Sequence, residues 1–210
     1  MTKLPLSWFE GADVVEMARA LLGKIIVTEF DGIRTSGRIS ETEAYAGKSD
    51  RASHCFGGRR TARTEIMYGP GGFAYVYLCY GIHHLFNVVT NKAEMPQVVL
   101  IRAIEPVEGI AVIRERLGKG EHVPLYKLAG GPGLVTKALG IRTAHTGLPL
   151  TEPISIWDDA YIPGEIKVGP RIGIDYAKED KDLPYRFLYN MKQEIRTSDR
   201  GFLSVPLMAV

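Results

Sequence analysis

Hydrophobic positions near the start of the chain repeat every three to four residues and then every second residue. Residues 13–23 place five apolar side chains on one stripe: Val14, Met17, Ala18, Leu21 and Leu22. This spacing predicts a helix that Asp13 caps and Gly23 ends. The β-type runs on either side of Asp31-Gly32 predict a hairpin, because this dipeptide suits a two-residue turn. The second run ends in the segment ETEAY, residues 41–45.

The remaining pattern predicts a mixed arrangement of strands and helices. Further β-type runs occupy 73–81, 84–91, 96–106, 154–158, 165–175 and 185–190, and helical spacing occupies 107–118 and 130–140. Residues 46–72 are rich in glycine and arginine and have no clear period, which is typical of a long functional loop. We expect the α+β class, a single compact mixed domain over residues 1–210 with a central antiparallel sheet flanked by helices and long loops.

Composition narrows the class of protein. Of 210 residues, 45% are hydrophobic and 24% charged, as in ordinary globular domains, and the formal net charge is only +2. Cys55 and Cys79 are too few for a disulfide framework or a zinc set. No signal peptide or membrane-spanning run is evident. We therefore expect a cytoplasmic setting and no membrane partner.

The ETEAY segment places two acids and a tyrosine on one side of the predicted strand. Glu41, Glu43 and Tyr45 are spaced by two, and alternate residues of a strand share a face. Two solvated carboxylates on an edge strand would explain this pattern. A buried carboxylate beside an aromatic wall is the alternative, and burial would raise its pKa toward the value that a general base needs.

Aromatic and basic residues follow within the next forty positions. Tyr75 and Tyr77 share a strand face and Tyr80 falls on the other, which fits either core packing or a platform on which nucleobases stack. His54 lies in the preceding loop, and adjacent histidines at 83 and 84 have no third ligand at a metal-binding spacing. Four loop arginines fit either a solvated loop or contacts to phosphate: Arg51, Arg59, Arg60 and Arg63.

Six ordered segments resemble one enzyme family, the alkyladenine (3-methyladenine) DNA glycosylases of the non-helix–hairpin–helix type. These segments are ETEAYAG, ASHCFGGRRTARTEIMY, AYVYLCYGIHHLFNVV, VVLIRAIEPVEG, GGPGLVTKALGI and RIGI. The resemblance implies a monofunctional enzyme that flips damaged purines out of duplex DNA, with 3-methyladenine and other alkylpurines as substrates and hypoxanthine as a further candidate. It would then hydrolyse the N-glycosidic bond without a cofactor or a metal. We expect it to act as a monomer.

The resemblance also implies a role for each matching residue. Glu43 corresponds to the general base and Arg102 to the arginine that holds the attacking water, with the Ile172 carbonyl as a further water partner. Tyr80 corresponds to the side chain that intercalates into the duplex. Four residues correspond to the walls of the base pocket: Tyr45, His54, Tyr77 and Asn87. Glu41 receives no chemical role, and we expect a nearby arginine to pair with it.

Two other functions remain open on the residues alone. A catalytically silent module could bind damaged nucleic acid through the same aromatic and basic side chains. A metal-dependent nuclease could use Glu41, Glu43 and His83. Because the net charge is low, either the glycosylase or the silent module would need a local basic face to bind DNA.

Overall fold

A single antiparallel sheet organises the chain in the computed structural model, which describes residues 1–11 and 13–189 and the backbone of 203–205. The strands among these residues are β1 (Thr2–Lys3), β2 (Ile25–Phe30), β3 (Ile33–Tyr45), β4 (Ala74–Cys79), β5 (His83–Thr90), β6 (Gln97–Glu108), β7 (Ala129–Gly130), β8 (Ile154–Asp158), β9 (Ile166–Gly169), β10 (Arg186–Tyr189) and β11 (Leu203–Val205). The α-helices are α1 (Val14–Ala20), α2 (Ile110–Leu117) and α3 (Pro132–Leu139). The predicted α+β class is confirmed.

Strand β3 is the centre of this sheet. Its first half pairs with β2 across the Asp31-Gly32 turn and its second half pairs with β10, while β6 runs along its other edge. The sheet continues from β6 through β5 to β4, and from β10 through β9 to β11. The second half of β3, which carries ETEAY, is therefore hydrogen-bonded to a strand on each side. It is not an edge strand.

The two faces of the sheet have different coverings. Strand alternation sends Ala74 and Val76 into the main core with the helices, and it sends Tyr75 into a smaller cluster on the other face. The loop 46–72 covers this second face and contains short 3₁₀ turns at Gly47–Ser49, Phe56–Gly58 and Glu65–Tyr68. Helices therefore cover one face of the sheet, and the irregular loop covers the other.

Two predicted helices begin later than expected. Val107 and Glu108 extend β6, because Glu108 pairs with Ser36 of β3, and α2 starts only at Ile110. Gly109 makes the break with φ +71°, and a Cβ there would lie 2.6 Å from the Arg34 carbonyl oxygen. Likewise Gly130 pairs with Ala103 of β6, so that α3 begins at Pro132.

Two predicted strands end earlier than expected. The run 165–175 forms a strand only as far as Gly169, since Pro170 cannot donate to the ladder and the chain turns there. The run 73–81 ends at Cys79, because Tyr80 and Gly81 both have positive φ and form a turn. Asn190, the last residue of the predicted strand 185–190, lies outside the described residues.

None of the described helices combines the length and apolar character needed to cross a bilayer.

A buried ion pair ties the loop to the sheet. Asp50 and Arg171 are 2% and 5% exposed, and Arg171 Nη2 donates to Asp50 Oδ1 at 2.8 Å while Nη1 donates to Oδ2. The same carboxylate accepts the amides of Ala46 and Ala52, and Arg171 also donates to the Ala44 carbonyl. This pair fixes the start of the loop and the segment after β9 against the end of β3.

Replacing Asp50 with Asn is expected to lower the free energy of unfolding by about 3–5 kcal/mol, because the buried Arg171 guanidinium loses its counter-charge. Urea denaturation measures this change. Asp158→Asn is the matched control: its carboxylate pairs with Lys24 at a site where it is 35% exposed, so that it should cost about 1 kcal/mol or less. Equal costs for the two variants would contradict the structural role of Asp50.

Candidate active site

Two buried glutamates on β3 share one arginine. Arg102 Nε donates to Glu41 Oε1 at 2.9 Å, and Arg102 Nη1 lies 3.3 Å from Glu43 Oε1. The side chain of Glu43 is fully buried and that of Glu41 is 5% exposed. Arg186 of β10 donates through Nε to Glu41 Oε1 at 2.7 Å. The two acids do lie on one face, and Glu41 is paired with two arginines.

A β-bulge brings Arg102 between the two acids. Glu41 pairs with Ala103 and Thr42 pairs with Ile101, so Arg102 is an extra residue on β6 at this point. Bulges redirect side chains and are frequent near active sites. The bulge therefore gives one guanidinium access to both carboxylates.

Glu43 has two further partners besides Arg102. The Ile172 amide donates to Oε1 at 2.8 Å and the Tyr45 hydroxyl donates to Oε2 at 2.9 Å. A carboxylate has about four lone-pair sites, so the three contacts leave room for one more donor. Tyr45 therefore forms part of the wall beside Glu43 and also donates a hydrogen bond to it.

The surroundings of the two carboxylates shift their pKa values in opposite directions. Burial raises the pKa of Glu43 above its ordinary value, although Arg102 and the donors from Ile172 and Tyr45 act in the opposite direction. Burial also acts to raise the pKa of Glu41, but the attraction of Arg102 and Arg186 outweighs it and lowers that pKa. Glu41 therefore holds the negative charge firmly, and Glu43 is the more basic carboxylate.

A cavity of about 460 Å³ opens in front of Glu43. Its lining includes Tyr45, Arg102 and Ile172, the three residues that contact Glu43, so that the acid lies directly behind the wall. The lining also includes most of the other predicted pocket and wedge residues: His54, Tyr77, Tyr80 and Asn87. Arg63 lines the cavity as well, so the structure brings nine of the twelve predicted site residues to one place.

His54 is held against the tyrosines of β4. Its Nδ1 lies 2.8 Å from the Tyr75 hydroxyl, and its ring meets Tyr77 edge-on with centroids 4.7 Å apart. Burial, with a smaller contribution from Arg63 and Arg59, lowers the pKa of His54 to about 4. The imidazole is therefore neutral near pH 7 and adds no positive charge to the cavity.

Tyr80 is exposed at the tip of the β4–β5 hairpin. It is 88% exposed and has φ +51°, a left-handed conformation that costs a non-glycine residue about 1 kcal/mol or more. Ile82, two residues further on, is 70% exposed. The turn thus presents two large apolar side chains to solvent, and Tyr80 is the one that lines the cavity.

Asn87 is fixed by two backbone contacts. Its Nδ2 donates to the carbonyls of Tyr75 at 3.1 Å and Leu85 at 3.3 Å, which sets the orientation of the amide. The residue is 2% exposed and lines the cavity. The cavity wall therefore carries a fixed amide at this position.

The four loop arginines do not form one uniform basic face. Arg51 pairs with Glu179 at 2.8 Å, and Arg60 pairs with Glu65 at 2.7 Å and Glu94 at 3.0 Å. Arg63 lines the cavity beside Tyr77, and Arg59 is exposed. Their contact with a DNA backbone stays a prediction.

Several contacts that build the site were not predicted from sequence. Tyr75 holds His54, Arg186 holds Glu41, and Asp50 with Arg171 anchors the loop. Tyr176 lines the cavity and donates its hydroxyl to the Ala52 carbonyl at 3.2 Å. Arg171 in the RIGI segment and Asp50 shortly after ETEAY are both visible in the sequence. They are 121 positions apart, so local spacing could not indicate that they pair.

Metal-ligand geometry is absent from the described part of the chain, where no group of three or more His, Cys, Asp or Glu side chains is placed to hold an ion. His83 is exposed, and His84 Nδ1 accepts the amide of Thr143 at 3.2 Å.

Comparison with known proteins gives one consistent result. The model of the family described as methylpurine-DNA glycosylase matches residues 7–193. A protein of Chlamydia felis (strain Fe/C-56) is 46% identical over 190 residues, covering 90% of this chain and 97% of the relative. Proteins of Bacillus cereus (strain B4264) and Bacillus thuringiensis (strain Al Hakam) are each 47% identical over 194 residues, covering 88% of this chain and 94% of the relative. All three have the name "Putative 3-methyladenine DNA glycosylase".

The burial of His54 predicts a pH dependence of stability. Between pH 6.5 and about 4 the unfolded chain binds a proton at His54 that the folded chain does not, so the free energy of unfolding should fall as the pH falls through this window. NMR titration of the His54 ring should give a midpoint near pH 4, and His54→Gln should make the stability curve shallower. A midpoint near the ordinary value of about 6.5 would contradict the burial of this ring.

Proposed function

The chain belongs to the methylpurine-DNA glycosylase family, and we propose that it excises methylated purines from duplex DNA with water activated by Glu43. One observation carries this proposal: a fully buried glutamate lies behind the wall of an aromatic cavity and contacts three residues of that wall, Arg102, Tyr45 and Ile172. The products are the free base and an abasic site. We propose 3-methyladenine as a main substrate and hypoxanthine as a further one.

The proposed chemistry begins with a water held between C1′ of the flipped nucleotide and the Glu43 carboxylate. We propose that this water occupies the fourth acceptor site of Glu43, with Arg102 and the Ile172 carbonyl as its other partners. Its oxygen bonds to C1′ of the deoxyribose while the bond from C1′ to the purine nitrogen breaks, and its proton passes to Glu43. The purine leaves with the electron pair of the broken bond. The raised pKa of Glu43 suits this proton transfer, and its charge stabilises the cationic sugar.

The cavity walls suit a positively charged purine. The rings of Tyr45 and Tyr77 offer faces that attract a cation, and the neutral His54 adds no repulsion. A methylated adenine is cationic, so that its departure neutralises it and needs no added proton. Hypoxanthine is neutral and needs protonation as it leaves. We therefore propose that the enzyme releases hypoxanthine more slowly than 3-methyladenine.

Asn87 is proposed to exclude guanine. Both hydrogens of its amide nitrogen are directed to the Tyr75 and Leu85 carbonyls, so that the side chain cannot rotate away without losing two hydrogen bonds. An exocyclic amino group directed at this position would meet a fixed obstacle. Hypoxanthine lacks that amino group and would fit.

Tyr80 is proposed to hold the duplex open. Flipping a nucleotide costs a few kcal/mol of stacking and pairing, and an apolar side chain in the vacated space offsets part of this cost. The strained, exposed position of Tyr80 beside the cavity mouth supports this role.

Glu43→Gln tests the proposed reaction. We expect at least about a hundredfold loss of base release in single-turnover assays, because the amide cannot accept the proton of the water. Chromatography would quantify free bases from methylated duplexes and inosine-containing duplexes, with chelator present and absent. Glu108→Gln is the matched control, as this exposed residue of β6 lies far from the cavity along the strand. Full activity of Glu43→Gln would reject the general base, and no release by the unaltered protein would favour the silent binding module.

Tyr80→Gly separates function from stability. Glycine adopts φ +51° without strain, which offsets its greater entropy loss, so we expect the free energy of unfolding to change by less than about 1 kcal/mol. Excision from duplex DNA should fall by about tenfold or more, equivalent to about 1.4 kcal/mol of lost stabilisation, whereas excision from single strands should change little.

The control for Tyr80→Gly is Asp31→Gly. Asp31 has φ +53° and precedes Gly32 at the tip of the β2–β3 hairpin, so it reproduces the backbone of Tyr80-Gly81. We expect Asp31→Gly to retain duplex excision. An equal loss on single-stranded and duplex substrates for Tyr80→Gly would exclude the wedge role.

A further inference from the structure

A second cavity lies against the other side of the β4–β5 hairpin tip. Its volume is about 390 Å³, and Ile82 and His83 form part of its wall. Leu78 and Tyr80 line the first cavity, the one in front of Glu43, which we call the base cavity. The opposite wall comes from the end of α2, from α3 and from the segment that follows α3. The exposed hairpin tip therefore stands between two cavities.

The second cavity is basic. Five of its lining residues carry or can carry positive charge: His83, His84, Arg116, Lys137 and Arg142. None of its lining residues, all of which lie in the described part of the chain, is acidic. Burial lowers the pKa of Arg116, and repulsion from Arg142 adds to this effect, with only Glu115 opposing it. Cations gathered without an acid among them attract an anion.

The basic side chains are built into the fold. Arg116 Nη1 donates to the Ala138 carbonyl at 2.9 Å, and a Cβ at Gly140 would lie 3.2 Å from its guanidinium carbon. The imidazole of His84 accepts the Thr143 amide through Nδ1, which leaves Nε2 as its donor. These contacts hold two donors in place before any ligand binds, and the exposed Lys137 and Arg142 can adjust around it.

We propose that this second cavity binds backbone phosphates of the DNA duplex on the side of Tyr80 away from the flipped base. This inference rests on the proposed function, because it takes the wedge at the hairpin tip as the point where the duplex sits. Arg63 lies at the base cavity and the five basic residues lie across the tip, so the backbone would meet positive charge on both sides of the wedge. Arginine, lysine and histidine donors suit phosphate oxygens.

This assignment changes where DNA affinity should come from. Two of the four predicted loop arginines already pair with glutamates, so they would have to exchange an acid for a phosphate. Lys137 and Arg142 are exposed beside the second cavity, whose lining has no acid. Their contribution to binding should therefore depend strongly on salt, with little change in the chemistry at Glu43.

The test measures binding to an undamaged duplex by fluorescence anisotropy at several salt concentrations. The logarithm of the association constant falls linearly with the logarithm of the salt concentration. Lys137→Gln should make this slope less steep by about 1, and Lys137→Gln with Arg142→Gln should make it less steep by about 2. Lys3→Gln is the control, because it removes the same charge at β1, the far edge of the sheet. The single-turnover excision rate at saturating protein should stay within about twofold in all variants, since none of these residues lines the base cavity.

The possible outcomes are distinguishable. Unchanged salt slopes with normal base release would overturn the second cavity and leave the glycosylase in place. Reduced slopes with no base release by any form would support the cavity as a nucleic-acid site and reject the proposed reaction. Thermal stabilisation by inorganic phosphate that the double variant loses, without any change in salt slope, would indicate a free-anion site and also overturn the inference.

Discussion

The buried chain of charges from Arg186 through Glu41 and Arg102 to Glu43 is the constraint on which the rest of the site depends. A charged carboxylate in a protein interior is costly unless it is paired and hydrogen-bonded. Two such carboxylates two residues apart would repel each other in the centre of a sheet. The arginines resolve this conflict because β6 and β10 flank β3 and each supplies one of them. The sheet order is thus also an electrostatic arrangement.

The same network makes the two acids chemically unequal. Glu41 interacts with both arginines and its pKa is lowered, so it stays ionised and fixes the Arg102 guanidinium. Glu43 contacts one arginine, Arg102, at a longer distance, and burial raises its pKa. Two acids with opposite pKa shifts therefore arise from one repeating pattern, and the difference lies in how many arginines each one contacts.

Local sequence patterns predicted what local physics controls. The Asp13 cap of α1, the turn at Asp31-Gly32 and the common face of Glu41, Glu43 and Tyr45 all follow from spacing within a few residues. The resemblance supplied the roles of the site residues, which no spacing could give. The bulge at Arg102 could not be predicted in this way, because it depends on the register between two strands. The Asp50–Arg171 pair joins residues far apart in the chain, and strand pairing decided that Glu108 is not helical.

The position of Tyr80 shows how binding and chemistry can be separated on this fold. The acid network lies inside the sheet and is fixed by its own ion pairs, whereas Tyr80 stands on a strained turn in solvent. An exposed aromatic ring at positive φ gains little for folding, since it buries almost no surface and carries backbone strain. A partner that covers this ring would supply the stabilisation that folding does not. A duplex opened at the hairpin tip would bury this ring while the base enters one cavity and the backbone reaches the other. The second cavity and the acid network share no residue, so the proposed phosphate contacts and the proposed bond cleavage would depend on different side chains.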